Sequence, residues 1–303
     1  MLGRFIQITR LLLYIAIFVG IERWCYLQTG GFAISKIVDQ FPENSRWELP
    51  PISEKEEKEL SQLLDQPFTL LAIGAECYAF ESADGTVVMK VFKMHEGRSI
   101  YYRKVYSGLS DVLSPRHFYI KAMEMRQQML ERTFDSMIIA YHELKEETGL
   151  LTLHLNKTNR FMKDIILIDS LGNQHSIPSD SIRFVLQKKA VPVYMHLEKL
   201  IKNNQIDETK KALSSLIDLI VLRCKKGIAD RDPVLKTNLA FLDNRAIEID
   251  LGSFSKNPYL SRPAAWKKEL YFQTYELKHW LEKKNPSLSE YFNESLMATL
   301  SKN

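Results

Sequence analysis

The spacing of apolar and polar residues predicts β-strands through much of the first two thirds of the chain. Three short apolar runs follow one another: one ends near Ile73, the next spans Cys77–Glu81, and the third spans Thr86–Phe92. Ala83-Asp84-Gly85, between the last two runs, is typical of a tight hairpin turn. Further strands are predicted at Leu150–Leu155, Ile165–Asp169, Ile182–Gln187 and Ala246–Ile249.

Helical periodicity is clearest from Pro115 to about Glu147, where Phe134, Ile138 and Tyr141 recur on one face. This pattern predicts a long helix with a buried stripe. Ser53 followed by Glu56 forms a capping-box pattern, and Pro42–Pro51 before it predicts a linker. The other predicted helices are Ser53–Leu64, Val193–Ile201, Asp207–Lys225, Trp266–Glu282 and Ser287–Leu300. Strands and helices together predict an α+β protein.

A continuous apolar run, Leu11–Ile21, lies near the beginning of the chain between Arg10 and Glu22. A helix that spans a membrane needs about 20 mostly apolar residues, and this run is shorter. Trp24 after it is suited to a membrane interface. Three interpretations therefore stay open: a membrane-anchoring helix, a helix packed on the folded body, and an export signal.

Composition adds limits on partners and compartment. The 303 residues are 45% hydrophobic, which is enough to fill two lobes. A net charge of +4, with no Lys/Arg block and no zinc-ligand spacing, argues against nucleic acid as a partner. The three cysteines, Cys25, Cys77 and Cys224, are scattered, which favours a reducing compartment over a disulfide framework.

Three oxygen-bearing side chains are spaced along the segment Gly227–Phe254. They are Asp232, Asn238 and Asp250, and the last follows a short apolar strand. Mg²⁺ prefers oxygen ligands and usually keeps substrate phosphates in its coordination shell, so Asn238 and Asp250 are suitable ligands. Asp232 adds an acid able to orient a hydroxyl group. The segment therefore predicts a site for phosphate transfer.

This segment resembles the protein-kinase-like superfamily. Asp230-Arg231-Asp232 corresponds to the family's His-Arg-Asp, and Asp250-Leu251-Gly252 corresponds to Asp-Phe-Gly. The chain departs from the family in two ways. Asp230 replaces the motif histidine, and Asp232 lies six residues before Asn238, where the family pattern has five.

The strand region upstream extends the resemblance. Val87-Val88-Met89-Lys90 is similar to the family's Val-Ala-Ile-Lys strand, whose lysine contacts the α- and β-phosphates of ATP. In the glycine-rich loop Gly74 is present, but Glu76 and Ala79 occupy the second and third glycine positions. Fewer glycines leave fewer backbone N–H groups that approach a phosphate closely.

The resemblance implies roles for two further residues. The long helix of the family supplies a glutamate that pairs with the strand lysine, and Glu131 is preferred because it lies one turn before Phe134 on the buried stripe, whereas Glu143 lies on the opposite face. The alternative for Glu131 is an acid on the surface. Gln187 begins the connection where family members bind adenine through backbone groups. The implied cofactors are ATP and magnesium.

The fold implied by the resemblance has two lobes. An N-terminal hydrophobic segment and linker would span residues 1–50. A small antiparallel β lobe, with the long helix and an insertion at Met94–Ser114, would span residues 51–190. A mostly helical large lobe that carries the catalytic and metal-binding loops would span residues 191–303. After Gly252 no Ala-Pro-Glu sequence follows, and some 50 residues remain. A full peptide-docking platform is therefore not expected.

Three functional hypotheses follow. The first is an atypical Mg-ATP-dependent kinase acting on a hydroxyl of a protein, lipid or small molecule. The second is a pseudokinase that serves as an interaction module. The loss of two glycines from the glycine-rich loop and the presence of Asp230 in place of histidine favour this hypothesis. The third is a membrane-tethered α+β body unrelated to kinases, in which Lys90 would lie far from Asp250. If Leu11–Ile21 holds the protein at a membrane, the kinase-like domain would face a cytosol. Otherwise the protein would be cytoplasmic.

Overall fold

The structure is a computed structural model that describes residues 2–38, 43–94, 115–158 and 161–301. The insertion predicted from Met94 to Ser114 lies, apart from Met94, outside the described residues. The chain divides into two compact units. The first contains Met1–Glu43, Ile52–Leu109 and Asn156–Phe184, and the second contains Asn44–Pro51, Ser110–Leu155 and Val185–Asn303.

The elements are numbered in chain order. The strands are β1 (Phe68–Ile73), β2 (Cys77–Ser82), β3 (Val87–Phe92), β4 (Leu150–His154), β5 (Asp164–Ile168), β6 (Gln174–Pro178), β7 (Phe184–Lys188), β8 (Val191–Pro192), β9 (Ile228–Asp230), β10 (Leu239–Leu242), β11 (Arg245–Glu248) and β12 (Phe254–Lys256). The α-helices are α1 (Leu2–Thr29), α2 (Ile34–Ile37), α3 (Glu54–Leu64), α4 (Pro115–Glu143), α5 (Val193–Lys202), α6 (Ile206–Lys225), α7 (Leu235–Asn238), α8 (Pro263–Lys284) and α9 (Pro286–Ser301). Short 3₁₀ helices span Ser45–Trp47, Ser179–Ser181 and Pro258–Ser261.

The first unit is built on five strands in the order β3-β2-β1-β5-β6. Neighbours are antiparallel except β1 and β5, which run parallel. Alternate residues of β3 are buried, because successive side chains of a strand point to opposite faces of the sheet. The core of this unit lies on that face and includes Phe68, Phe80, Met89, Val91, Ile165 and Leu167.

Local sequence signals account for the edges of these elements. Gly85 turns the β2–β3 hairpin with a φ of 68°, and Asp84 Oδ1 accepts hydrogen bonds from Thr86 N and Ser82 Oγ. The predicted capping box is present at the start of α3, where Ser53 Oγ accepts from Glu56 N and Glu56 Oε2 accepts from Ser53 N. Both predictions are confirmed.

The second unit is mostly helical. Its core surrounds α6, which buries Leu213, Leu216, Ile217 and Ile220, whereas Leu222 is exposed. Two small sheets lie in the same unit, one with the order β11-β10-β8 and one that pairs β12 with β9, and β4 lies beside β7. A first unit built on a sheet and a mostly helical second unit agree with the α+β, protein-kinase-like fold that the sequence predicts.

Two boundaries differ from the predictions. Helix α4 ends at Glu143 instead of Glu147, because the chain turns there and Gly149 adopts a φ of 61° before β4. The predicted linker Pro42–Pro51 contains a 3₁₀ helix, and its Trp47 is buried. The predicted domain limits of residues 1–50, 51–190 and 191–303 stay predictions.

The N-terminal apolar run forms part of one helix, α1. Among the described residues, no helix is long and apolar enough to cross a membrane. The prediction of a transmembrane helix is therefore wrong for this part of the chain. The physical reason lies in the sequence: the run Leu11–Ile21 is bounded by Arg10 and Glu22, well short of the length that hydrocarbon requires.

Candidate active site

Asp232 lies in the loop between β9 and α7, and hydrogen bonds fix its backbone on both sides. Its N–H donates to Asp230 Oδ1 (2.9 Å), and its carbonyl oxygen accepts from Asn238 Nδ2 (2.6 Å). The Asp232 side chain is exposed. A fixed backbone with a solvent-facing carboxylate is the arrangement that a group orienting a bound hydroxyl requires.

Asp230 stands where the resemblance expects histidine, and it is buried at the end of β9. Its Oδ1 accepts from Asp232 N and from the hydroxyl of Ser253. In the ladder between β9 and β12, Asp230 is paired with Phe254. The replacement of histidine by Asp230 thus creates a hydrogen-bonded link between the Asp232 loop and the segment that follows Asp250.

Asn238 and Asp250 are brought together by the backbone. The carbonyl oxygen of Asn238 accepts from Ile249 N (2.7 Å) and from Asp250 N (3.5 Å). The side-chain oxygen of Asn238 accepts from Thr237 Oγ1 (2.8 Å), and Asp250 Oδ1 accepts from Gly252 N (3.0 Å). The backbones of Asn238 and Asp250 are therefore hydrogen-bonded to each other, and the Asn238 side chain is bonded to the backbone of Asp232.

These two residues fit a magnesium ion. Asn238 Oδ1 accepts one hydrogen bond and retains a second lone pair, and Asp250 is exposed with a second carboxylate oxygen. No cluster of three or more His, Cys, Asp and Glu side chains suited to a metal occurs in the part of the chain that the structure describes. An amide and a carboxylate are a donor set that Mg²⁺ accepts when phosphates and water complete its shell.

Helix α4 packs directly on the segment after Asp250. Ser136 Oγ donates to Leu251 O (2.5 Å) and accepts from Phe254 N (2.6 Å). One turn earlier, Thr133 lies against Gly252: a Cβ added to that glycine would be 3.5 Å from the Thr133 methyl group. The sequence analysis did not identify Ser136, because nothing local to a helical serine indicates a partner 115 residues away.

A buried ion pair lies beneath the same segment. Arg223 Nε lies 2.6 Å from Glu248 Oε1, and both side chains are almost completely buried. Arg223 also donates to Ile228 O (3.1 Å) and to Gln273 Oε1 (2.9 Å). Burial raises the pKa of Glu248 to about 7, although the Arg223 charge acts in the opposite direction. The pair joins the strand that leads to Asp230 with the strand that leads to Asp250.

The sequence carries a signal from which the Arg223–Glu248 pair could have been predicted. Arg223 lies at i+3 from Ile220, on the continuation of the apolar stripe of α6. A charged residue on a buried stripe needs a partner of opposite charge, since an isolated buried charge is strongly unfavourable. Glu248, which follows the apolar residues Ala246 and Ile247 in β11, is the corresponding signal on the other side.

Lys90 and Gly74 belong to the first unit. Lys90 lies on β3 opposite Ala79 of β2 and is half-buried. Gly74 N donates to Cys77 O (2.9 Å), and Gly74 O accepts from Lys93 Nζ (2.5 Å). The loop between β1 and β2 is thus closed by its own hydrogen bonds, and the N–H of Gly74 is already used.

Glu131 and Gln187 belong to the second unit. Glu131 Oε1 accepts from Gln127 Nε2 (3.0 Å), an i to i+4 contact within α4. Gln187 is buried, and its Nε2 donates to Thr148 O (3.0 Å). The pairing of Glu131 with Lys90, and the adenine-binding role of the connection that begins at Gln187, stay predictions.

Comparison with known proteins gives remote similarities only. No protein-family model matches the chain, and no curated protein matches it. One similar solved structure is WbdD, described as a bifunctional kinase-methyltransferase: identity is 15%, the TM-score is 0.37, and the match covers 75% of this chain and 44% of WbdD. The chain therefore matches less than half the length of WbdD.

Two other solved structures are similar over most of the chain. Rv3197 of Mycobacterium tuberculosis, in complex with erythromycin, is 17% identical with a TM-score of 0.29, over 84% of this chain and 68% of Rv3197. The streptomycin-ATP-APH(2″)-IIa ternary complex is 13% identical with a TM-score of 0.28, over 80% of this chain and 99% of that protein. Because the identities and TM-scores are this low, the comparison adds no argument about the fold, which rests on the chain's own elements.

Proposed function

We propose that the protein is an atypical phosphotransferase that moves the γ-phosphoryl group of Mg-ATP to a hydroxyl acceptor. The observation that carries the proposal is the hydrogen-bonded assembly of Asp232, Asn238 and Asp250. Asn238 contacts Asp232 O through its side chain and Ile249 N through its carbonyl, so one residue holds both the acid and the metal-binding segment. Phosphoryl transfer depends mainly on such positioning and on charge neutralisation.

The roles follow from the chemistry of each side chain. Asp232 orients the acceptor hydroxyl. As the new P–O bond forms, the bond between the γ-phosphorus and the β–γ bridging oxygen breaks, ADP leaves, and the hydroxyl proton passes to the Asp232 carboxylate or to solvent. Asn238 and Asp250 would hold magnesium, which would neutralise charge on the phosphates. Lys90 is assigned the contact with the α- and β-phosphates, as the resemblance implies. The acceptor is a hydroxyl of a protein, lipid or small molecule.

The test compares two isosteric substitutions at the site. With ATP and Mg²⁺ or Mn²⁺, the wild type is expected to gain thermal stability and to turn ATP over. Asp232→Asn is expected to keep the stabilisation but to lower turnover by roughly 100-fold or more, since it removes the orienting carboxylate. Asp250→Asn is expected to lose the metal-dependent stabilisation, because one ligand loses its charge.

A matched control is available in the same unit. Asp243 is an exposed acid in the turn between β10 and β11 with a φ of 53°, a conformation that asparagine also adopts. Asp243→Asn is expected to bind and turn over ATP like the wild type. If folded wild-type protein shows neither turnover nor a nucleotide-dependent thermal shift with either metal, the proposed function is wrong.

A pseudokinase is the second candidate, and one observation favours it. Gly74 N is engaged with Cys77 O, so the loop that would approach phosphate is already closed by internal hydrogen bonds. This candidate predicts nucleotide binding that is unchanged by Asp250→Ala, together with no turnover. Loss of binding in that variant would favour the enzyme.

We further propose that α1 holds the protein at a membrane through Leu11–Ile21, with the kinase-like part facing a cytosol. The apolar residues of this run are exposed around the helix, including Leu12, Phe18 and Ile21. Transfer of exposed apolar side chains from water to a membrane lowers the free energy. Flotation with phosphatidylcholine vesicles is expected for the wild type and not for Leu12→Asp/Phe18→Asp; equal flotation of both would contradict the proposal.

A further inference from the structure

One buried hydroxyl connects helix α4 to the segment that carries Asp250. Ser136 is 1% exposed, and its Oγ makes two short hydrogen bonds, to Leu251 O and from Phe254 N. A serine hydroxyl has one proton to donate, so the carbonyl of Leu251 receives it and the amide of Phe254 must be the second donor. A single atom thus holds both ends of a four-residue turn.

The turn held by Ser136 controls the direction of the Asp250 side chain. Gly252 lies inside the turn, and its N–H donates to Asp250 Oδ1 (3.0 Å). The place where a Cβ of Gly252 would lie is 3.4 Å from Asp250 Oδ1 and 3.5 Å from the Thr133 methyl group. Any shift of the turn therefore moves the N–H that orients the carboxylate.

Helix α4 is itself fixed on its other side. Asp135, the residue before Ser136, accepts from Trp47 Nε1 (2.9 Å) and from Arg46 Nη1 (3.3 Å). The rings of Phe134 and Trp47 pack edge to face with centroids 5.0 Å apart. The hydroxyl of Ser136 is therefore presented from a helix that is held in place.

We infer that Ser136 is a positioning residue: through its hydroxyl, α4 sets the orientation of Asp250 as a metal ligand. The inference rests on the proposed function, in which Asp250 binds the metal. Without the hydroxyl the turn at Leu251–Phe254 loses two hydrogen bonds, and the carboxylate samples directions that do not suit the ion. Metal affinity then falls while the fold remains.

The experiment measures Mn²⁺ affinity in the presence of ATP by electron paramagnetic resonance. Ser136→Ala is expected to raise the Kd for Mn²⁺ about five- to tenfold, because the two lost hydrogen bonds act on the metal only through the orientation of Asp250 and weaken its binding by roughly the net value of one hydrogen bond. Affinity for ATP without metal is expected to stay within about twofold, since Ser136 does not face the nucleotide in this scheme. Ser136→Thr, which keeps the hydroxyl, is expected to restore most of the metal affinity.

Ser289 supplies the matched control. It is a buried serine on α9 of the same unit, and its hydroxyl has no hydrogen-bond partner within the described residues. Ser289→Ala is expected to leave the Kd for Mn²⁺ within about twofold. If Ser136→Ala does not fold, Ser136→Cys replaces it, because a thiol fills the same place but hydrogen-bonds weakly.

The possible outcomes separate the inference from the function on which it rests. If the wild type binds Mn²⁺ and Ser136→Ala binds it with the same Kd, the inference is wrong and the proposed function stands. If the wild type binds no Mn²⁺, the proposed function fails. Hydrogen exchange of the Phe254 amide then still tests whether Ser136 holds the turn. The amide is expected to exchange faster in Ser136→Ala, and unchanged exchange would show that the Ser136 hydroxyl does not hold the turn.

Discussion

Asp169 illustrates how a single carboxylate stabilises the first unit in a pH-dependent way. Burial alone would raise its pKa, but hydrogen bonds from His175, from the Asn173 side chain, and from the N–H groups of Asn173 and Leu171 lower the pKa to about 2. The ordinary value is 3.8, so the folded state prefers the carboxylate. Its contribution is present above pH 4 and is lost as the pH falls through about 2.

Replacement of the Asp169 carboxylate is therefore expected to lower the free energy of unfolding fully only above about pH 4. Asp169→Asn should lower the free energy of unfolding by about 2 kcal/mol at pH 7, and the difference should shrink as the pH falls from 4 to 2. Asp164→Asn is the control, since Asp164 is exposed and an amide oxygen still accepts from Ser176. Urea unfolding at several pH values measures both, and a pH-independent loss would contradict the assignment.

The Arg223–Glu248 pair makes a second residue-scale prediction, this one in the second unit. Arg223→Met leaves a buried carboxylate without its cation and is expected to cost about 3–5 kcal/mol. The double variant Arg223→Met/Glu248→Met removes that uncompensated charge and is expected to be more stable than the single variant. Chemical denaturation of the four proteins of the cycle measures the coupling.

The same pair has a pH dependence of opposite sign to that of Asp169. The pKa of Glu248 is raised to about 7, so its preference for the folded state is full below about 4.5 and is lost as the pH rises through 7. Arg223→Met is accordingly expected to be less destabilising at pH 5 than at pH 8. A larger loss at pH 5 would show that Glu248 is not the group responsible.

At the scale of elements, local patterns were sufficient wherever the signal and its consequence lie close together in the chain. The Ser53 capping box and the Ala83-Asp84-Gly85 turn act within four residues, so both could be predicted. Trp47 and Ser136 could not, because their partners lie 88 and 115 residues away. The sequence was enough to select Asp232, Asn238 and Asp250 as candidate site residues. The hydrogen bonds that join them could be identified only from the structure.

Trp47 is the element-scale test of this distinction. Its ring is buried against Phe134, and its N–H donates to Asp135 on α4. Trp47→Phe keeps most of the apolar contact but leaves the Asp135 oxygen without that donor, and is expected to cost about 1–2 kcal/mol. Trp47→Ala also leaves a cavity and is expected to cost about 3–5 kcal/mol.

Trp24 on α1 is the matched control for these two variants, since it is exposed. Trp24→Phe and Trp24→Ala are each expected to change the free energy of unfolding by no more than about 0.5 kcal/mol. Thermal and urea unfolding of all four variants measure the difference. If Trp47→Phe is as stable as Trp24→Phe, the segment before α3 does not hold α4.

At the scale of the whole chain, α1 differs from every other described helix longer than eight residues in how it is attached. Its apolar side chains are exposed, whereas the residues after it are held by the first unit: Tyr78 Oη donates to Gly31 O (2.8 Å), and Phe32 and Ile37 are buried. Contacts therefore begin at the end of the helix and not along it. The helix is joined to the unit at one end.

This attachment predicts how the protein tolerates truncation. The side chains of residues 6–25 are exposed, so removal of residues 2–25 is expected to leave the thermal midpoint of the remaining protein unchanged. Removal of residues 2–37 also takes Phe32 and Ile37 from the core and is expected to cost at least about 3 kcal/mol, the transfer free energy of two large apolar side chains. Calorimetry of both truncated proteins measures the difference. Equal losses in the two would mean that α1 packs on the body along its length, and the exposure of Leu11–Ile21 would then no longer argue for a membrane.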